Sequence, residues 1–253
     1  MPADQAMPVH QAMPVDQAIA VVHADPWLLV VHKPSGLLSQ PGRGPALADS
    51  LLTRLQCHWP ELLLVHRLDR DTSGLLLLAR DPHTHRRLST AFAERRVHKA
   101  YLAVVEGAMG ATAGRIDEPL ARWATATATA PPRYGPVPVG LGGKPALTRW
   151  RLLGARGQRS LLLLVPHTGR SHQLRVHLAS VGHPIVGDPI YGLEGASGRL
   201  MLHGLGLRLR HPHTARALRL RCLPRERGFD QPDWEPWGDH LERHGLAATL
   251  EFH

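Results

Sequence analysis

The chain has 253 residues and carries 30 Lys and Arg against 21 Asp and Glu, a formal net charge of +9, so a polyanionic partner is expected and a sizeable core is within reach of its length. Its two cysteines, Cys57 and Cys222, stand far apart without CxxC spacing, which excludes a zinc ribbon or a disulfide framework and suits a reducing, cytoplasmic setting. Apolar runs stay strand-length, far short of the roughly 18 residues that would span a bilayer.

In chain order, the first segment is a six-residue repeat. Asp4-Gln5-Ala6-Met7-Pro8-Val9 recurs as His10-Gln11-Ala12-Met13-Pro14-Val15 and begins again at Asp16. Proline in each full copy blocks helix and strand, and the large apolar groups are too few for a core, so residues 1–18 are expected to be a disordered tail. Trp27 to Val31, Leu75 to Ala79, Tyr101 to Val105 and Leu161 to Val165 are short continuous apolar runs bounded by turn residues, the pattern of buried central strands. Leu47, Leu51 and Leu55 share a face at i, i+4, i+8 and predict one helix. Asp81-Pro82 predicts the start of another, with Asp as cap, Pro at the first position, and Leu88, Ala91, Phe92 and Arg95 following on helical spacing. Residues 124–146, rich in Thr-Ala, Pro and Gly, predict a long mobile loop. A last helix, capped by Thr168 or Ser171, runs to about Ser180 and ends at Gly182. On it Leu174, Leu178 and Val181 share one face and His172, Arg175 and Ala179 the adjacent one, which puts Arg175 at the edge of the core. The pattern predicts an α+β fold, a mixed and mainly antiparallel sheet flanked by helices, with residues 19–253 as one catalytic domain.

The segment His66-Arg67-Leu68-Asp69-Arg70-Asp71-Thr72-Ser73-Gly74 carries the chemistry. It sets a carboxylate between two arginines immediately before a buried run, an arrangement that suits a nucleophile or an anchor. Asp69, Asp71 and Thr72 taken as Asp-x-Asp-x-Thr suggest a Mg²⁺-dependent aspartyl-phosphate phosphatase. That reading lacks a downstream Lys and acidic cluster, has only Asp188 to offer as a further ligand, and leaves Arg67, Arg70 and Arg80 unexplained. The 18 histidines, notably His83 and His85 and then His211 and His213, form no His-Glu-x-x-His pattern, so no bound metal is expected.

Taken as His-Arg-Leu-Asp-x-x-Thr-Ser-Gly, the same segment resembles the second motif of the RluA-type pseudouridine synthases. The resemblance recurs in order at Leu28 to Ser39 around Lys33-Pro34-Ser35-Gly36, with His32 where Asn or Asp is common. It recurs again at Lys99-Ala100-Tyr101-Leu102-Ala103, and at Thr168 to His177 continuing through Gly182 to Asp188 and Tyr191-Gly192. Together these cover residues 27–204. The resemblance implies the pseudouridine synthase fold and isomerisation of uridines in structured RNA, without cofactor or metal. It implies Asp69, Tyr101 and Arg175 as catalytic residues, with Arg175 paired to Asp69. Arg67 would enter the space of a flipped base, Lys33, Arg70 and Arg170 would hold phosphates, and His172 would line the substrate. Asp71 is expected to be structural. About 26 residues precede Trp27, too few for the S4-type domain that many relatives carry. The segment Leu37 to Arg43 is close to small dual-specificity members that act on a 23S rRNA hairpin and the tRNA anticodon stem-loop. A monomer that avoids membranes is expected, and a catalytically silent RNA-binding relative is the remaining alternative.

Overall fold

The computed structural model describes residues 19–124, 127, 131–194 and 198–224. The tail expected over residues 1–18 lies outside them. The chain divides into two compact units, Met1–Val97 with Gly206–Cys222 and His98–Leu205 with Leu223–His253.

In the first unit β1 (Ala20–Ala24) pairs antiparallel with β2 (Leu28–Lys33). After α1 (Leu51–Gln56) and β3 (Leu63–Leu64), β4 (Ser73–Ala79) pairs antiparallel with both β2 and β3. All of β2 and β4 is buried, so their uninterrupted apolar runs reflect cover on both faces. The helix predicted from Asp81-Pro82 is present as α2 (Pro82–Ala93), and the Asp81 carboxylate accepts the Thr84 amide at 2.9 Å. Leu88, Ala91 and Phe92 of α2 close a core with Leu28, Val30, Leu75, Leu77, Leu207 and Leu209. The helix predicted through Leu47, Leu51 and Leu55 is interrupted. Leu47 ends a separate 3₁₀ turn and is 43% exposed, because Ser50 caps α1 in a reciprocal capping box with Thr53 and so starts the helix at Leu51. The paired histidines serve packing. His213 stacks on Trp27 and meets the Thr84 hydroxyl at 2.7 Å, while His211 Nδ1 accepts the amides of His213 and Thr214 and Nε2 meets Asp25 at 3.1 Å.

In the second unit β5 (His98–Glu106), β6 (Ala113–Asp117), the hairpin strands β7 (Leu120–Ala124) and β8 (Arg133–Pro136), β9 (Leu147–Arg156) and β10 (Arg159–Pro166) precede α3 (Gln173–Ser180). β10 lies between β5 and β9, and β6 pairs with β9, all antiparallel. Leu174 and Leu178 of α3 pack on Ala103, Val105, Leu162 and Leu164 of this sheet. Val176, on the other side of α3, packs with Leu120 and Tyr134 of the hairpin. Residues 124–146 are therefore no structureless loop where described: β8 pairs with β7, and Lys144 bridges back to Leu120. Residues 125, 126 and 128–130 of that stretch lie outside the described set. β11 (Leu202–Arg210) passes from the second unit to the first, where β12 (Ala217–Arg221) pairs with it antiparallel. Among the described residues no helix is long and apolar enough to cross a membrane.

Candidate active site

In the first unit, the loop from His66 to Thr72 is held almost entirely through its backbone. Leu68 is buried and exchanges two hydrogen bonds with the Ser39 hydroxyl. The Asp69 carbonyl accepts the Thr72 amide at 3.1 Å, the Arg70 carbonyl accepts the Gly36 amide at 3.0 Å, and the Asp71 carbonyl accepts the Ser35 hydroxyl at 2.7 Å. His66 Nε2 accepts the Leu77 amide while its ring stacks on Phe92. The half-buried Asp69 thus sits on a segment clamped on either side, with little freedom to lose when a substrate arrives.

Lys33 completes that clamp, which corrects the phosphate-binding role expected of it. It is 0% exposed, and Nζ donates to the carbonyls of Pro34, Leu37 and Arg70 at 2.8, 2.6 and 2.8 Å. An ammonium so enclosed offers nothing to a phosphate; it ties the Lys-Pro-Ser-Gly turn to the Asp69 loop. Lys33→Met is expected to destabilise the protein by about 2 to 4 kcal/mol, because charge-assisted bonds to buried carbonyls are lost while burial of an ammonium is relieved. Turnover should fall with RNA affinity nearly unchanged. A weaker affinity with a salt slope reduced by about one phosphate contact would restore the phosphate role.

Arg67 and Arg70 are exposed. Arg70 pairs with Asp71, Nε to Oδ1 at 3.0 Å, as expected of a structural Asp71. An exposed pair of this kind contributes about 0–1 kcal/mol and gives way readily to a phosphate.

In the second unit α3 starts differently from the prediction. His172 is the cap residue, at φ 54° and without a side-chain capping bond, and Gln173 organises the turn. Gln173 Oε1 accepts the Thr168 hydroxyl and the Arg170 amide, while Nε2 donates to the Leu147 carbonyl and the Thr148 hydroxyl. Gly182 ends the helix at φ +85°, as predicted. His172 Nδ1 meets the Tyr191 hydroxyl at 2.8 Å and its ring edges those of Tyr134 and Tyr191. Arg170 donates from Nε to the Pro145 carbonyl at 3.0 Å.

Arg175 lies deeper than the edge-of-core position predicted for it, at 2% exposure, because Asp188 and the Tyr191 ring enclose its guanidinium. Its Nε and Nη2 donate to the two oxygens of Asp188 at 2.8 and 2.7 Å, and its guanidinium lies over the Tyr191 ring. Asp188 also accepts the amides of Ile190 and Tyr191. Burial by itself would raise the Asp188 carboxyl, but the bond and charge of Arg175, with those two amides, hold it below its ordinary value. The sequence offered Asp188 only as a metal ligand for the phosphatase reading, not as the partner of Arg175, although Gly187-Asp188-Pro189 stands in the matched stretch. Gly187 makes the turn possible: it has φ +70°, and a Cβ there would fall 2.0 Å from the Arg199 carbonyl oxygen.

Tyr101 is half-buried on β5 and packs against the core beneath α3. Two residues earlier, and so on the same face of the strand, Lys99 donates to the Thr168 carbonyl at 3.3 Å, and burial pulls its amine down to about 8. The Lys-x-Tyr motif was visible in the sequence; the shifted amine was not.

The phosphatase reading gains no further ligand from these contacts, since Asp188 is saturated by Arg175 and two amides. Comparison with known proteins agrees. The model of the RNA pseudouridylate synthase family matches residues 27–180. The chain is 42% identical over 213 residues to the "Dual-specificity RNA pseudouridine synthase RluA" of Vibrio vulnificus, covering 80% of this chain and 82% of the relative. It is 39% identical over 207 residues to the protein of the same name from Yersinia pestis, covering 80% and 97%. Among solved structures, human RNA Pseudouridylate Synthase Domain Containing 1 superposes with a TM-score of 0.72 at 28% identity, covering 93% of this chain and 95% of that one. With the family model spanning more than half of its length and such relatives over four-fifths of it, the chain belongs to the RNA pseudouridylate synthase family and is an RNA pseudouridine synthase.

Proposed function

We propose that the enzyme isomerises uridines in short structured hairpins, a 23S rRNA hairpin, the tRNA anticodon stem-loop or both, with Asp69, Tyr101 and Arg175 as its catalytic residues. The observation that carries the catalytic part is the clamp on the Asp69 loop, which presents one carboxylate on a preorganised segment. The substrate part is supported by the relatives named dual-specificity synthases.

Uridine and pseudouridine are isomers. The N1 to C1′ bond breaks, the base turns while bound, C5 joins C1′, and a proton leaves C5 while N1 gains one, so electrons and atoms balance without a redox partner or a metal. In this scheme Asp69 attacks or stabilises the electron-poor C1′, as carboxylates do at sugar centres in retaining glycosidases. Tyr101 abuts the uracil and assists removal of the C5 proton. Arg175, its plane set by Asp188, orients Asp69. The target uridine leaves its stack to reach the carboxylate; Arg67 fills the space it vacates, Arg70 and Arg170 hold phosphates, and His172 lines the substrate. The protein works as a cytoplasmic monomer.

The test uses RNA tritiated at C5 of uridine and no added metal. Purified protein at low micromolar concentration is expected to release tritium from an isolated anticodon stem-loop, a 23S-derived hairpin, or both. Release from intact 23S rRNA alone would replace the hairpin assignment with a ribosomal one. Binding without release from any RNA would point to the silent relative.

A further inference from the structure

We propose that Trp123 is a stacking platform for an unpaired base of the substrate RNA, so that the β7–β8 hairpin takes part in choosing the substrate. The proposal extends the hairpin-RNA reading above and rests on it.

Trp123 is 64% exposed, which is unusual for so large an apolar side chain, and its placement is built rather than incidental. The register runs Arg122 to Tyr134 and then Ala124 to Arg133, so Trp123 is the extra residue of a β-bulge. Bulges re-aim side chains. Here the indole is laid across Gly135: a Cβ at that position would fall 1.9 Å from Trp123 Cε2 and 2.1 Å from Cζ2. Glycine therefore seats one side of the ring against backbone, and the exposure is that of the other. A flat aromatic surface held in this way suits base stacking, which tolerates any base because every base has a π-face.

The surroundings select a polyanion. No Asp or Glu occurs between Glu118 and Asp188, whereas nine Lys or Arg do, among them Arg122 and Arg133 on the hairpin itself. The Arg122 guanidinium lies over the Tyr134 ring at 5.7 Å, and Arg133 donates to the Ile190 carbonyl. Among the described residues no carboxylate pairs with Arg122 or Arg133, so an apolar protein partner would meet positive charge beside the indole, whereas a nucleotide brings a ring for Trp123 and a phosphate for the arginines.

The hairpin is also wired to Arg175. The Tyr134 amide donates to the Tyr191 hydroxyl at 3.0 Å, that hydroxyl meets His172, and the Tyr191 ring lies under the Arg175 guanidinium. A base seated on Trp123 is thereby linked, through Tyr134 and Tyr191, to Arg175.

The experiment measures dissociation constants for a fluorescein-labelled anticodon stem-loop and for versions abasic at each loop position, using full-length wild type, Trp123→Ala and Trp123→Phe. Trp123→Ala is expected to weaken binding about tenfold and Trp123→Phe less than threefold. One abasic position should reproduce the loss in the wild type and cost nothing further in Trp123→Ala. Affinity of Trp123→Ala within twofold of wild type, or abasic losses that all add fully to it, would overturn the proposal, as would failure of the wild type to bind any version. Binding that follows the expected cycle without tritium release would sink the substrate reading and leave the stacking role standing. Tritium release with an unchanged affinity in Trp123→Ala would do the reverse.

Discussion

Asp69→Asn is expected to abolish pseudouridine formation, by roughly 10⁴-fold or more, since removal of a nucleophile leaves only binding and its neighbours to act. RNA affinity should stay within about tenfold, because phosphate contacts supply most of the binding energy and none of them is touched. Asn is isosteric with Asp, and acceptance of the Thr72 amide comes from the backbone carbonyl of residue 69, so that bond of the loop survives the change. Tritium release and an equilibrium binding curve on the same stem-loop separate the two effects. Turnover within tenfold of wild type would remove Asp69 from the mechanism. Asp71→Asn is the internal control and should keep most of its activity, since it breaks an exposed pair with Arg70.

The second large effect is expected at the buried pair of Arg175 and Asp188. Asp188→Asn leaves a guanidinium at 2% exposure without its carboxylate. Loss of one partner of such a pair typically costs about 3–5 kcal/mol, or about 10 °C in Tm for a chain of this size. Replacing both partners by apolar groups often restores stability, so the double variant Arg175→Met with Asp188→Leu should recover most of the loss. Its activity should stay absent if Arg175 orients Asp69; recovery of activity together with stability would make the pair purely structural. The acid dependence follows from the lowered Asp188 carboxyl. The unfolded chain binds the proton first as pH falls, so the stability from this carboxylate is full above its ordinary value of 3.8 and is lost only as pH drops through the lower folded value. Asp188→Asn lacks this loss, and the gap between the two stability curves should narrow below that pH.

Much of the architecture was legible because it is local. Continuous runs such as Leu75 to Ala79 became fully buried strands, and Asp81-Pro82 began a helix, since capping and apolar continuity involve neighbours in sequence. The prediction through Leu47, Leu51 and Leu55 failed for an equally local reason: periodicity was counted across Ser50, whose capping box with Thr53 outweighs it. The cap of α3 failed for a distant one. Thr168 and Ser171 are capable caps, but Gln173 draws Thr148 and Leu147, from another strand, to the same place.

The sequence by itself determined the chemistry: an Asp-Arg loop, a Lys-x-Tyr strand and an Arg-bearing helix in an order that identifies an RNA pseudouridine synthase. The tertiary structure decided which charged groups are buried and what they hold. Lys33 is a fully enclosed clamp rather than a phosphate ligand, Arg175 is gripped by Asp188, and Trp123 is bared across Gly135. The physical reason is common to all three. Motif spacing reports residue types along the chain, whereas burial of a charge or exposure of an indole depends on residues farther along it, the Arg70 carbonyl for Lys33, Asp188 for Arg175 and Gly135 for Trp123.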